Sequence, residues 1–368
     1  MAAADFRLIN PNTGTAPIFR NARDAEITTR IYRNHPVLVD RSGGGERKAW
    51  PVKYTTMFHM TNDSKLFVKR EELIRDGWQS AELNRWRKGT AEAVPLYEGK
   101  MVQMYDHRAA DVVVNAANLN RAAQPDEISA SAHAEPNRLA MPQFWVPAAD
   151  VVAVNARDWA LGFKEITAPT NMRTMIGALM PGVGFGNKLP ILLIDSKGGS
   201  DAPTIAAMLL ANFNSLAFDF VLRQKLQGQT INLFILEQLP VVEAAAYNAA
   251  LGKGSVADFV RAEVLHLSYT ALDVAPFARD LGYVDAQGEI FPPFVWDDED
   301  RRHRIARLDA LFMRLYGLDK DDAAYILDSF PIVRAKDDAA FGRYRTRDLV
   351  LGYMERIAGG DVTAVING

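Results

Sequence analysis

The amino-acid sequence predicts an α+β protein in which a mixed sheet is followed by a helical carboxy-terminal region. Between residues 96 and 245, short apolar runs end at Pro, Gly or Asn, a pattern typical of strands. Beyond residue 246, apolar residues recur at three- and four-residue steps, which is typical of helices. The chain has 368 residues, 48% of them hydrophobic, so it can bury a large core in two or three structural units.

Residues 1–95 mix short elements. Residues 24–33 carry apolar side chains at helical spacing, with acidic residues near the start and arginines near the end, which suits the helix dipole. A Gly-rich loop at 42–46 precedes residues 54–60, whose β-branched and aromatic content predicts a strand. We expect this region to be a connector.

Residues 96–245 form the predicted sheet region. One helix begins near Asp201, a good N-cap followed by Pro203, and its apolar residues continue at helical spacing to Gly228. A helix between two apolar strands is typical of a mixed α/β layer in which the helix packs across the sheet. The predicted strands are residues 112–114, 151–154, 174–179, 189–194 and 230–236.

Residues 246–368 are predicted to be helical. Ser255-Val-Ala-Asp258 is typical of a capping box, in which a serine and an acidic residue satisfy each other's backbone amides. An apolar stripe over residues 305–315 and a start at Thr346 predict two further helices.

Composition excludes several classes of protein. The formal net charge is −3, so a uniformly basic nucleic-acid binder is excluded and any DNA-binding surface has to be a local concentration of Arg and Lys. Cysteine is absent, which excludes disulfides and thiolate metal sites and fits a reducing cytoplasm. No apolar run reaches the roughly 18 residues of a membrane-spanning helix, and residues 1–5 lack the features of a secretory signal. We expect a cytoplasmic protein.

Gly182-Val-Gly-Phe-Gly186 has the composition of a nucleotide-binding loop. Such a loop has to follow a strand and open a helix, so that the helix amides meet the ligand. Here residues 187–190 lead into another apolar strand. The sequence therefore favours a Gly-rich turn between strands.

Two short motifs contain parts of the Asn-Pro-Pro-Tyr sequence with which amino-methyltransferases hold a flipped base against the methyl donor. Asn10-Pro-Asn-Thr13 lacks the second proline and the stacking aromatic residue. Phe291-Pro-Pro-Phe294 lacks the Asn or Asp that accepts the hydrogens of the exocyclic amine. Both motifs favour turns, and no catalytic residue is predicted in this chain.

A nuclease site is the first alternative function. Asp195 and Lys197, at a strand end, could supply the acid that holds magnesium and the lysine that polarises water. The nearest upstream Pro-Asp pair, Pro125-Asp126, is distant in sequence, and the glycines after Lys197 favour a polar turn. The six histidines show no pair at ligand spacing, so no metal site is predicted.

Basic residues stand beside aromatic or amide residues in three parts of the chain. Arg and Lys neutralise phosphates, whereas Arg, Gln and Asn carry the paired donors and acceptors that read base edges in the major groove. The alternative is a solvated polar face. The three groups are Arg85 to Lys88; Lys100, Tyr105, His107 and Arg108; and Arg223, Lys225, Gln227 and Gln229.

Four stretches, in order along nearly the whole chain, carry a resemblance to known proteins. They are INPNTGTAPIFR at 9–20 with RDAE at 23–26; PLYEGKMVQMYDHR at 95–108; LANFNS at 210–215 with NLFILEQLP at 232–240; and LYGLD at 315–319 with YILDSFPIV at 325–333. Together they resemble the carboxy-terminal half of large single-chain adenine-specific DNA methyltransferases. These enzymes belong to restriction–modification and phage-defence systems, including the Type IIG, BREX and DISARM systems.

The resemblance implies a target-recognition region at 96–245 that follows a methyltransferase domain, with residues 246–368 packed behind it. The family's methyl-donor loop and its Asn-Pro-Pro-Tyr motif would lie upstream of residue 1. Methyl transfer from S-adenosylmethionine to an adenine amine would then belong to a methyltransferase domain in the same parent chain or in a split subunit. We expect double-stranded DNA as a partner and no cofactor in this chain.

The predicted DNA contacts follow from residue chemistry and placement. Lysines and arginines would fix the register on phosphates, and a few polar side chains would read bases. The second alternative is a structural or protein-docking module, supported by the apolar helices at 305–315 and 346–357. The predicted contact residues are Lys100, Tyr105, His107, Arg108, Arg173, Lys188, Arg223, Lys225 and Gln229.

Overall fold

The computed structural model describes residues 3–15, 17, 19–114, 123–195, 201–362 and 365–366. Its elements confirm the predicted α+β class: several sheets in the first two-thirds of the chain are followed by a helical region. The α-helices of the described residues are α1 Ala3–Ile9, α2 Ala22–Asn34, α3 Arg70–Arg75, α4 Ala130–His133, α5 Ala148–Val154, α6 Ala202–Asn214, α7 Leu216–Lys225, α8 Leu233–Glu237, α9 Val256–Ser268, α10 Ala275–Asp280, α11 Asp298–Leu315, α12 Lys320–Asp328, α13 Pro331–Phe341 and α14 Arg345–Ala358.

The strands are short, and several pair only with a neighbour in sequence. They are β1 Val39–Asp40, β2 Arg47–Lys48, β3 Val52–Thr55, β4 Gln79–Ser80, β5 Trp86–Lys88, β6 Ala91–Tyr97, β7 Ala110–Val113, β8 Gln124–Glu127, β9 Trp145–Pro147, β10 Trp159–Phe163, β11 Gly177–Pro181, β12 Gly184–Phe185, β13 Ile191–Ile194, β14 Ala250–Leu251 and β15 Gly254–Ser255.

A four-stranded antiparallel sheet, in the order β11-β10-β13-β3, lies at the centre of the molecule. Along β10, Trp159, Leu161 and Phe163 belong to the main hydrophobic core, whereas Ala160 belongs to a second core on the opposite face. Because side chains alternate along a strand, this sheet is buried on both faces. The main core also contains residues of α2, α6, α7, α9, α11, α12 and α14.

A second sheet, in the order β12-β6-β5-β4 with β9 also paired to β6, covers the second core. Strand β12 runs parallel to β6, with Phe185 opposite Tyr97. Gly184 lets β12 pack closely against β9 at the same place, because a Cβ atom there would lie 2.5 Å from the Val146 Cγ2 atom. The chain segments that follow β6 and β12 therefore leave the sheet side by side.

Residues 1–95, expected to be a connector, contribute to the folded body. Ile27 and Ile31 of α2 are fully buried in the main core. Strand β3 forms the edge of the four-stranded sheet, where it pairs with β13. The predicted helix at 24–33 is confirmed, since α2 covers it.

The single helix predicted from residue 201 to 228 is two helices, α6 and α7, bent by 62°. Ser215, at the bend, has an extended backbone, and its hydroxyl accepts a hydrogen bond from Phe218 N. The Asp309 carboxylate accepts from Leu216 N at 2.7 Å. Apolar spacing missed the bend because both helices are buried, so their apolar residues continue across it. Among the described residues, no single helix is long and apolar enough to cross a membrane. The bent pair of α6 and α7 reaches that length and hydropathy only when the two helices are counted together.

Two predicted strands are wrong. Residues 151–154 belong to α5, which begins after Pro147, and residues 230–236 contain most of α8, which begins after Asn232. Short apolar runs do not distinguish strands from buried helical turns. The strand predicted at 54–60 is shorter and earlier, because β3 ends at Thr55.

The remaining predicted strands are present with shifted ends. The strand predicted at 174–179 begins too early, since β11 starts at Gly177. The amides of Thr174 and Met175 donate to the Asp219 carboxylate instead of to a neighbouring strand. Strands β7 and β13 match the predictions at 112–114 and 189–194 to within two residues.

In the helical region, the helices lie where the capping and apolar patterns of the sequence predict them. The capping box at Ser255 is confirmed, because its hydroxyl accepts from Asp258 N and its own N–H donates to the Asp258 carboxylate. Helices α11 and α14 match the stripe at 305–315 and the start at Thr346. They pack against each other, so the apolar faces that supported a docking module are buried within the chain.

The Gly-rich segment opens no helix, because Gly184 and Phe185 form β12. Residues 10–13 form a bend and turn, as predicted. Residues 291–297 have neither a helix nor a turn, so the turn predicted at Phe291-Pro-Pro-Phe294 is wrong.

Candidate nucleic-acid interface

Arg108, predicted to contact DNA, is fully buried at the junction between the sheets and the helical region. Its guanidinium donates to the carbonyl oxygens of Glu135 at 2.9 Å and of Arg138, His133 and Thr270 at 2.7 Å each. These four acceptors replace the water that the cation loses on burial. Arg108 therefore holds the fold together and is closed to DNA in this conformation.

Tyr105 and His107 lie at the same junction. Tyr105 is 2% exposed, and its N–H donates to the Gly177 carbonyl oxygen at 3.0 Å. Its backbone φ is +57°, which a bulky residue adopts only where the surroundings fix it. The His107 Nε2 atom lies 2.8 Å from a carboxylate oxygen of Asp273, which is also buried. Burial raises the pKa of the Tyr105 hydroxyl above its ordinary value.

Arg173 forms a buried two-bond pair with Asp309 of α11. The two Nη–Oδ distances are 2.7 and 3.2 Å, and the guanidinium also donates to the Asn214 carbonyl oxygen. This geometry is the strong form of an Arg–carboxylate contact. The pair joins the segment before β11 to the helical region, 136 residues away in sequence.

Arg223, in α7, is buried too. It donates to the Asn171 carbonyl oxygen at 2.7 Å, lies 3.4 Å from the Asp219 carboxylate and stacks over the Phe330 ring at 4.1 Å. Burial lowers the pKa of its guanidinium. Arg223 is therefore held by contacts within the chain and does not face solvent as a DNA contact would.

Lys225, at the end of α7, is partly buried and has three acceptors. Its ammonium donates to the Ile9 carbonyl oxygen at 2.6 Å and to Asn10 Oδ1 and the Gln238 carbonyl oxygen at 2.8 Å each. Burial lowers the pKa of Lys225 to about 7, whereas three acceptors use all three N–H groups and so favour the charged form. Lys225 therefore connects residues 9–10 with Gln238, which belong to two of the four stretches that resemble the methyltransferases.

The other three predicted residues, Lys100, Lys188 and Gln229, lie in one part of the surface. Lys100 and Lys188 line the same cavity of about 400 Å³. The Thr167 N–H donates to the Gln229 carbonyl oxygen at 2.8 Å, which places Gln229 next to the cavity wall. The residues that line the cavity are Met60, Glu98, Gly99, Lys100, Lys164, Ile166, Gly186 and Lys188. We call this cavity the lysine pocket, after Lys100, Lys164 and Lys188.

The parallel pairing of β6 and β12 builds the lysine pocket. Gly99 follows β6 and packs against the carbonyl oxygen of Lys188, where a Cβ atom would lie at 3.2 Å. Gly186 directly follows β12, and a Cβ atom there would lie 3.1 Å from the Met60 sulfur. The two glycines therefore allow the lining segments of the pocket to approach each other closely.

Two of the three lysines are paired with carboxylates. Lys100 lies 3.0 Å from Glu98 and also donates to the Ala123 carbonyl oxygen at 2.9 Å. Lys188 lies 3.2 Å from Glu165, and its side chain is 51% exposed. Because these pairs border solvent, each contributes little to stability and its lysine can exchange partners.

Lys164 differs from both. It follows β10, and its side chain is half-buried without a hydrogen bond or ion pair to any described residue. Burial lowers the pKa of its ammonium group, and no neighbouring carboxylate opposes that effect. Sequence analysis missed Lys164, since nothing in the order Phe-Lys-Glu indicates which cation remains unpaired.

The described residues offer little for nuclease chemistry. They contain no cluster of three or more His, Asp or Glu side chains that could hold a metal ion. Asp195 follows β13, and its N–H donates to the Pro51 carbonyl oxygen at 2.7 Å. Lys197 lies outside the described residues. Three ammonium groups around a cavity instead suit the binding of an oxyanion.

No protein-family model matches the chain, and no curated protein matches it.

Proposed function

We propose that this chain is the sequence-recognising part of a site-specific adenine DNA methyltransferase of a restriction–modification or phage-defence system. The observation that carries the proposal is the lysine pocket. There, two predicted contact residues, Lys100 and Lys188, meet a third cation, Lys164, with Gln229 next to the wall. A chain of net charge −3 needs such a local concentration to bind DNA.

The resemblance of the four stretches supports the same proposal. Several of their residues lie in the scaffold: Arg108 at the junction, Asn212 and Asn214 in α6, and Tyr316 after α11 are buried and hydrogen-bonded. A shared scaffold under a different surface is what proteins of one fold need in order to select different DNA sequences.

In this proposal, lysines of the pocket bind backbone phosphates and set the register, while exposed polar side chains such as Gln229 contact base edges. The adenine is then flipped into the pocket of a methyltransferase domain, in the parent chain or in a split subunit. That domain binds S-adenosylmethionine and transfers its methyl group. Because its substrate is DNA, the assembly acts in the cytoplasm.

The buried junction contributes rigidity. Arg108 and the pair of Arg173 with Asp309 connect the sheets to the helical region through hydrogen bonds that have little freedom to rearrange. A recognition surface held in this way loses less conformational entropy when it binds DNA.

The first experiment is fluorescence anisotropy of the full chain with a labelled duplex of arbitrary sequence, over a series of salt concentrations. We expect non-specific binding with a Kd of about 10⁻⁴ to 10⁻⁶ M at physiological salt, weakening steeply as salt rises. Binding that is absent at low salt, or that is independent of salt, contradicts the proposal.

A further inference from the structure

We propose that the lysine pocket is a discrete site for a single phosphodiester group and that Lys164 is the ammonium that binds it. This inference rests on the proposed function for the source of the phosphodiester, a DNA backbone. Beyond that function, the inference names the pocket as the place of binding, a monoanion as the ligand, and Lys164 as the residue that binds it.

The balance of charge in the pocket favours a monoanion. Lys100 and Lys188 are each within 3.2 Å of a carboxylate, from Glu98 and Glu165 respectively, so these four groups sum to zero. Lys164 then leaves one positive charge without a partner among the described residues. A phosphodiester carries one negative charge, which matches it.

The partial burial of Lys164 also favours the binding of an anion. A half-buried ammonium has lost part of its hydration and has no hydrogen bond within the described chain in exchange. An oxyanion in the pocket would restore that interaction as a charge-assisted hydrogen bond, which is stronger than one between neutral groups.

The shape of the pocket favours a phosphodiester with its sugar over a small inorganic ion. The volume of about 400 Å³ leaves room beyond one phosphate group. Gly99 and Gly186 line the pocket without side chains, and Met60 and Ile166 supply apolar surface. A deoxyribose ring can pack against such surface while its phosphate faces the lysines.

The pocket also predicts a proton linkage. Burial lowers the pKa of Lys164 in the free protein. A bound phosphodiester favours the charged form and raises that pKa, so binding takes up a proton. Affinity should therefore fall as the pH rises through the pKa of free Lys164.

The test uses three variants of the full chain: Lys164→Ala, Lys164→Arg, and Lys336→Ala as a control of equal charge change at an exposed position of α13. For Lys164→Ala we expect about tenfold weaker binding to duplex DNA of any sequence, and a salt slope smaller by about one. Lys164→Arg should retain most of the affinity. Equal behaviour of Lys164→Ala and Lys336→Ala overturns the inference.

A second measurement on the unmodified chain separates this inference from the proposed function. Lysine acylation, read by mass spectrometry, is followed with and without duplex DNA or a millimolar dinucleotide phosphodiester. We expect both ligands to slow acylation of Lys164 and neither to slow that of Lys336.

If the chain binds no duplex DNA but the dinucleotide still protects Lys164, the proposed function fails and the pocket stands as a phosphodiester site. If the chain binds duplex DNA while neither ligand protects Lys164, the pocket inference fails and the proposed function stands.

Discussion

The junction around Arg108 and the lysine pocket use the same kind of residue for opposite purposes. Arg108 has four carbonyl acceptors and no contact with solvent, whereas Lys164 is half-buried without a partner among the described residues. A cation whose terminal N–H groups donate to several carbonyl oxygens within the chain stabilises the fold. A cation that is desolvated and unpaired has binding capacity left for a ligand. The pairing of a cation, more than its presence, therefore marks the candidate interface.

The largest effect should come from the junction. Arg108→Met removes the donor of the buried His133 and Thr270 carbonyl oxygens and of the partly buried Arg138 carbonyl oxygen, whereas the Glu135 oxygen keeps Arg138 N. We therefore expect a loss of about 5 kcal/mol of unfolding free energy or no folded protein. The measurement is denaturant unfolding followed by circular dichroism. Arg87→Met, whose side chain is 66% exposed, is the control and should stay within about 0.5 kcal/mol of the unmodified chain. A stable Arg108→Met that loses only DNA binding would reverse the comparison.

The buried pair of Arg173 and Asp309 should rank second. Arg173→Met leaves the carboxylate buried with only its backbone donor from Leu216, and we expect a loss of about 3–4 kcal/mol. The same unfolding assay measures it. A loss below about 1 kcal/mol would show that the pair is not part of the scaffold.

A third effect concerns pH. Burial, together with nearby Arg304, lowers the pKa of His266 to about 4, although Asp300 opposes the shift. The unfolded chain takes up this proton below about pH 6.5 and the folded chain only near pH 4, so stability falls as the pH drops between these values. His266→Gln should reduce that fall by roughly 2 kcal/mol. Parallel stability curves for both proteins from pH 8 to 4 would contradict it.

The smallest effect should come from a paired lysine of the pocket. Lys188 shares its charge with Glu165, so Lys188→Ala should weaken duplex binding by only about twofold, less than Lys164→Ala, with unchanged thermal unfolding. Anisotropy titrations of both variants measure the difference. A larger effect for Lys188 than for Lys164 would mean that pairing within the chain does not decide which cation binds DNA.

Much of the fold could be predicted from local signals in the sequence. The capping box at Ser255 and the apolar stripe of α11 involve residues within a few positions of each other, so the sequence predicts them directly. The bend at Ser215 was missed because it depends partly on Asp309, which caps α7 from a distant helix. Helices α5 and α8 were missed because runs of four to seven apolar residues have no decisive period.

The candidate site was only partly predictable. Residue chemistry identified Lys100, Lys188 and Gln229, but it identified Arg108 and Arg173 equally, because partners such as Thr270 and Asp309 lie more than 100 residues away. Lys164 could be identified only from the pocket itself, which combines four separate segments of the chain. Whether a cation is paired is a property of tertiary contacts, so composition and spacing do not reveal it.

The most direct test of the central claim, that this chain selects a DNA sequence, is selection from a random duplex library by the full chain. The bound fraction is recovered at physiological salt and sequenced after several rounds. Enrichment of one motif is the predicted result. Lys164→Ala should recover less DNA in each round but enrich the same motif, because a lost phosphate contact weakens binding to every sequence alike. Uniform recovery of all sequences would contradict the claim.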